Sequence, residues 1–222
     1  MALSPLPRYS INRSNEMDNP QASTDTVYLP TADRVRAACK QFDRDERAVE
    51  WVLTQLFQRF PENTDFDEVV VKTKVLNTLY STHILAVNRV AKHITNLGID
   101  PDLKAGKAEV VDRIAKVQLK DKTRYNFSFA SKYCNWHNPT AYPIYDGNVE
   151  ACLWYYKKEG GSFAAALAER GIAFPRYGYD YPEFVRIVNA FRDGYKLTSF
   201  TYKQLDKLLW SLGKALVSRG KA

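Results

Sequence analysis

From Thr31 onward, apolar side chains recur every three or four residues and never alternate for long, which favours helices packed on helices over a sheet. Thr31 offers a cap, and Val49, Val52, Leu53, Leu56 and Phe57 form a stripe that ends at Pro61, so residues 31–60 read as one or two helices. Asp65 opens a longer stripe through Val69, Val71, Val75, Leu76, Leu79 and Tyr80. A polar break at Ser81-Thr82-His83 separates it from the stripe Leu85, Val87, Val90, Ala91 and Ile94, and Gly98 supplies a stop. Residues 107–117 read as a short amphipathic helix facing inward with Val110, Val111, Ile114 and Val117. Residues 162–170, 181–195 and 202–216 complete the helical pattern. The fold class expected is all-α, a helical bundle.

A chain of 222 residues can fill one core, so residues 31–222 are expected to form a single domain. Residues 1–30 carry Pro5, Pro7, Pro20 and Pro30 among Ser, Asn and Asp without apolar period, and read as a disordered or loosely docked arm. With no secretory pattern and no long apolar run, the expected location is the cytoplasm, away from membranes. Three cysteines, Cys39, Cys134 and Cys152, lack the spacing of a disulfide framework and are too few for a four-iron cluster. Cys134 and His137 form a C-x-x-H pair with no second half-site, so neither metal nor cofactor is expected.

Charge gives the first functional direction. The net charge is +7, and residues 104–132 alone contain eight basic side chains. After residue 195 come Lys196, Lys203, Lys207, Lys214, Arg219 and Lys221, against Asp206 as the only acid. Such surfaces attract a polyanion, although a merely solvated lysine-rich face has the same composition. No phosphate-binding glycine loop or serine nucleophile elbow is present, which disfavours nucleotide hydrolysis and serine-hydrolase chemistry.

Between Tyr125 and Tyr156, ten of thirty-two positions are aromatic, and within the segment from Tyr125 to Val149 two charged residues, Lys132 and Asp146, stand among them. Lys132 lies beside small residues at what reads as a helix start. Asp146 follows Tyr142-Pro143-Ile144-Tyr145 and precedes a new apolar helix, which places it at an N-cap. Capping alone would account for Asp146, and cation-π contact or snorkelling for Lys132.

A lysine on a helix, then a loop with an apolar-proline step, then an aspartate opening the next helix, resembles the catalytic region of the helix-hairpin-helix DNA glycosylases. The segment Val75-Leu76-Asn77-Thr78-Leu79-Tyr80-Ser81-Thr82-His83 is similar to the family's segment whose polar corner enters DNA beside the extruded base. The resemblance runs from about Asp65 to Trp154, and the chain is divergent. Phe127-Ser128-Phe129-Ala130-Ser131 stands where the family's hairpin has glycine-hydrophobic-glycine. There is also a similarity to bacterial glycosylases directed against phages with modified bases.

The resemblance implies a two-lobed helical fold and a monomeric enzyme acting on duplex DNA with an extruded base. It would cleave the N-glycosidic bond and leave an abasic site, with repair and phage defence both open as roles. Asp146 is then the carboxylate that stabilises the cationic sugar or activates water. Lys132 is an amine able to form a Schiff base and support strand cleavage, or else a phosphate ligand. Tyr133, Trp136, Tyr142 and Tyr145 are the expected walls of a base pocket, with Asn135 and His137 reading a base edge. Ser81, Thr82 and His83 would fill the gap in the stack, while Ser131, Lys203, Lys207 and Lys214 would meet the DNA backbone. The alternative classes are a non-catalytic nucleic-acid-binding module and a protein-interaction subunit.

Overall fold

The computed structural model describes residues 29–119, 122–176 and 178–220. Apart from Leu29 and Pro30, the arm read over residues 1–30 lies outside the described residues. The described chain is mostly helical: α1 (Ala32–Asp45), α2 (Arg47–Arg59), α3 (Phe66–Tyr80), α4 (Val87–Leu97), α5 (Asp100–Ala105), α6 (Glu109–Ala115), β1 (Lys116–Leu119), β2 (Lys122–Tyr125), α7 (Phe127–His137), α8 (Gly147–Glu159), α9 (Gly161–Glu169), α10 (Tyr181–Gly194) and α11 (Tyr202–Ser218). No described helix is long and apolar enough to cross a membrane.

The helix starts follow their chemistry. Thr31, Asp65, Asp146, Asp180 and Thr201 each accept a hydrogen bond from a backbone N–H of the first turn, and Thr201 with Gln204 completes a capping box. The span 31–60 divides into two helices at Glu46, whose φ of −113° and ψ of 13° interrupt the helical backbone.

One expectation is corrected between α6 and α7. The stripe read as helix to Val117 stops at Ala115, and an antiparallel ribbon follows, with Lys116 opposite Tyr125 and Leu119 opposite Lys122. Val117 is buried, but it reaches the core from a strand. Four residues per strand are too few for alternation to register as a pattern. Residues 127–131 are therefore not a hairpin turn; Phe127 opens α7, and Lys132 lies in its second turn rather than at its start.

Helix packing falls into two groups. α3, α4, α6 and α7 pack together with the ribbon, while α11 returns across the molecule to pack on α1 and α8, with α9 and α10 beside them. The apolar stripes meet in one buried cluster spanning both groups, from Val35 and Leu53 to Leu212 and Leu216. Lys72 crosses this interior fully buried, donating to the carbonyl oxygens of Phe60 and Glu62 at 3.0 and 2.6 Å and to Asn63 Oδ1 at 2.8 Å, which ties the α2–α3 loop to α3.

A candidate active site at the junction of the two helix groups

Lys132 and Asp146 meet because the chain between them is fastened at several points. Asn135 Nδ2 donates to the Tyr142 carbonyl at 2.6 Å, and Tyr145 N donates to Ser131 Oγ at 3.0 Å. The buried Tyr181 hydroxyl donates to the Pro143 carbonyl at 2.6 Å. These bonds fold the loop back on α7 and deliver Asp146 to the start of α8, where Oδ1 accepts from Asn148 N at 3.0 Å. Its other oxygen, Oδ2, accepts from Lys132 Nζ at 3.0 Å. The Lys132 ammonium also donates to Ser128 Oγ at 2.8 Å and the Tyr145 carbonyl at 3.1 Å, so each of its three N–H donors has an acceptor. The Lys132 side chain is 3% exposed and Asp146 24%, which makes this a largely desolvated pair with one open side. The positive end of the α8 dipole adds to its hold on the carboxylate.

The open side faces a cavity of about 210 Å³ between the helix groups, lined by Lys132, Asp146, Tyr80, Glu50, Asp206 and Trp210 among others. That is smaller than the roughly 300–1,000 Å³ of drug-sized ligand pockets, and suits a single planar ring. The aromatic members are Phe42, Tyr80 and Trp210, with the Lys132 ammonium 5.5 Å from the Tyr80 ring centre. Tyr80 is held by Trp136 Nε1, which donates to its hydroxyl at 3.2 Å. Burial, together with Asp206, raises the Tyr80 hydroxyl above its ordinary range, so it remains a neutral donor at physiological pH.

Asp206 is the group that no sequence motif marked. Burial, reinforced by Asp146 and Glu50 and opposed by Lys132 and Lys203, pushes its carboxyl up to about 7. Its Oδ1 is buried without a hydrogen-bond partner. The one sequence signal was its position as the sole acid in a basic C-terminal helix. The folded state keeps the Asp206 proton up to about pH 7, whereas an unfolded aspartate releases it near 4. Through that window the folded chain binds more protons, so stability falls as pH rises. Asp206→Asn is expected to raise the unfolding free energy at pH 8 by on the order of 2 kcal/mol, with a ceiling of about 4, and the gain should vanish by pH 4. Urea melts of both chains across this range measure it; an unchanged or lower stability at pH 8 would contradict the assignment.

The other expected site residues distribute unevenly. Ser81 lines the cavity, and its left-handed backbone (φ 49°) ends α3. Asn77 shapes the corner, accepting from Thr82 Oγ1 and Ile84 N at 2.8 Å each and donating to the Ile84 carbonyl at 3.0 Å. His83 is exposed there with φ 59°. Beside it stands Leu85, 95% exposed, which the sequence stripe assigned to the interior.

Tyr133 and Tyr142, expected as pocket walls, are instead core residues with no exposed surface. Tyr133 packs edge-on against Phe57 and donates to Asn63 Oδ1 at 2.5 Å, and the Tyr142 hydroxyl donates to the Asp102 and Lys107 carbonyls. Ser131, expected at the DNA backbone, is fully buried and holds the Tyr145 loop. Trp136, Asn135 and His137 line a separate cavity of about 630 Å³. Burial lowers the His137 imidazole to about 3 and keeps it neutral. Tyr145 faces a third cleft, its hydroxyl donating to Glu150 at 2.8 Å.

The lysines of α11 also differ from expectation. Lys203 pairs with Glu50 at 2.5 Å and lies 4.0 Å from the Trp136 ring centre, at the boundary of the first two cavities. Lys207 is turned inward, 9% exposed, and pairs with Asp43 at 3.0 Å, so its charge is largely neutralised within the fold. Lys214 is exposed and stands over Trp210 at 4.8 Å. Cys134 and Cys152 are buried free thiols, and Cys39 is a partly exposed one.

Comparison with known proteins matches residues 34–141 to the HI_0787_N family, described as an N-terminal domain. An uncharacterized protein of Haemophilus influenzae is 35% identical over 162 residues, which cover 72% of this chain and 73% of that one. The chain belongs to the HI_0787_N family. No solved structure matches it. In this HI_0787_N member the matched span includes Lys132 and the Ser81 corner and stops before Asp146, so Asp146 and Asp206 of the cavity lie beyond it.

Proposed function

We propose that this protein is a DNA N-glycosylase that draws a modified or damaged base out of the stack and cleaves its bond to deoxyribose. The observation that carries the reading is the Lys132–Asp146 pair, 3.0 Å apart and nine-tenths sealed on the lysine side, opening on a ring-sized cavity with aromatic walls. Its helix-loop-helix setting is the one in which the helix-hairpin-helix glycosylases carry a lysine and an aspartate, and the two helix groups with a cleft between them suit that family's two-lobed fold.

The chemistry follows from charge. As the C1′–N bond breaks, its electron pair leaves with the base, and the sugar becomes cationic. A carboxylate at the Asp146 position stabilises that cation and can take a proton from the attacking water, whose oxygen forms the new bond to C1′. Lys132, whose protons are all engaged in hydrogen bonds, serves first as an ammonium that holds Asp146 and the loop in place. It becomes a nucleophile only after passing a proton to a neighbour such as Asp146, which is what a strand-cleaving variant of the reaction requires.

Extrusion of a base needs a wedge, and Leu85 beside the corner has the exposure for it. Leu85→Ala is expected to leave the melting temperature unchanged and to slow base release from duplex DNA roughly tenfold or more, since unstacking costs a few kcal/mol. Release from single-stranded DNA, where no stack must be opened, should change little. Single-turnover base release on both substrates tests the reading; equal slowing on both would remove Leu85 from the mechanism, and absence of release by the unaltered protein would remove the mechanism itself.

A further inference from the structure

The third cleft, about 470 Å³, is bordered by hydrogen-bond partners of the Lys132 ammonium, as the cavity described above is. Ser128 and Tyr145, which accept two of the lysine's hydrogen bonds, line this cleft, while Asp146, which accepts the third, lines the other. The corner spans both in the same way, with Ser81 in one and Thr82 in the other. A strand crossing the corner with one nucleotide in the catalytic cavity would bring a neighbouring nucleotide to the third cleft.

That cleft presents a ready stacking surface. Tyr125 and Phe127 are stacked with ring centres 5.6 Å apart and planes 16° from parallel, and Tyr145 follows 4.7 Å from Phe127. Tyr125 is 51% exposed, yet its hydroxyl donates to Asp112, which in turn accepts from Tyr181 N at 3.1 Å. An exposed ring fixed at its far end has already lost the rotamer freedom that stacking would otherwise cost. The ribbon leading into it carries Lys116, Lys122 and Arg124, all exposed. Aromatic surface flanked by basic side chains is the combination that holds unpaired nucleic acid.

We propose that this cleft receives a second, unstacked nucleobase from the strand flanking the extruded one, stacked on Tyr125 and Phe127, with the ribbon's basic residues on its phosphates. The inference rests on the DNA reading above. Affinity for a labelled short single strand, measured by fluorescence anisotropy, tests it with three variants whose folding is checked by thermal melting. Tyr125→Phe, which keeps the ring but loses the hydroxyl's hold on Asp112, should bind only about two- to fourfold more weakly than the unaltered protein. Tyr125→Ala and Tyr125→Leu, which lack the ring, should bind roughly 5- to 100-fold more weakly. If the unaltered protein binds DNA and the leucine and alanine variants bind as well as it does, the stacking site is wrong and the catalytic reading stands. If the unaltered protein binds no DNA, the catalytic reading falls and this inference with it.

Discussion

Asp146→Asn should lower the rate of base release by about 10²–10⁴-fold while leaving the protein folded. Both halves follow from the two separate tasks of that side chain. As a cap, Asp146 Oδ1 accepts from Asn148 N, and asparagine caps a helix about as well as aspartate, so α8 keeps its start. As an anion, Asp146 faces both Lys132 and the cavity, and asparagine has no charge to set against a cationic sugar. Asparagine has one oxygen where aspartate uses two, so with that oxygen kept on Asn148 N the Lys132 ammonium retains Ser128 Oγ and the Tyr145 carbonyl and loses its third acceptor, and the loss of stability should be about 1–3 kcal/mol. A rate that tracks the small change in stability would mean that Asp146 is a cap and nothing more.

The second large effect is expected at a glycine where two helices cross. At Gly213 a Cβ would lie 1.8 Å from the Asn148 carbonyl oxygen and 2.5 Å from its carbon, because α11 crosses α8 there backbone against backbone. No side chain can rotate away, so Gly213→Ala must force the two helices apart. Overpacking of this kind costs about 1–3 kcal/mol and sometimes more, and a backbone clash belongs at the upper end. At roughly 2–4 °C per kcal/mol for a chain of this size, the melting temperature should fall by about 6–12 °C. Asn148 is the residue whose amide Asp146 caps, and α11 carries Asp206, so base release should fall further than stability accounts for. Gly147→Ala is the control: it adjoins Asp146, but its added Cβ would meet nothing within 4 Å and its melting temperature should hold. Equal melting temperatures for Gly213→Ala and the unaltered protein would show that the helices do not approach this closely.

The helices were legible wherever one face is apolar and a capping residue precedes it, as at Thr31, Asp65 and Asp146. The ribbon was not, because Lys122-Thr123-Arg124-Tyr125 is exposed along its whole length and has no buried face to produce a period. Lys132 and Asp146 were legible because they stand within fourteen residues of each other in an aromatic stretch. The rest of the cavity comes from Phe42, Glu50, Tyr80, Asp206 and Trp210 among others, on four helices distant in sequence, joined only by packing. Aromatic density misled for a related reason. Tyr133 and Tyr142 look like ligand walls in a list of residues, yet their hydroxyls satisfy buried acceptors such as Asn63 Oδ1 and the Asp102 carbonyl, which is what a core tyrosine does. Leu85 erred in the opposite direction: its place in the stripe read as buried, but α4 begins only at Val87, so Leu85 belongs to the corner and stands in solvent.

The central claim is that the Lys132–Asp146 cavity breaks the bond between a base and its sugar. The measurement that addresses it most directly is the appearance of free base and abasic sites when the protein is held in excess over DNA carrying a panel of oxidised, alkylated and hypermodified bases. The account predicts abasic sites on at least one member of the panel, formed by the unaltered protein and lost in Asp146→Asn. Intact glycosidic bonds across the whole panel, or equal release by the two proteins, would contradict it.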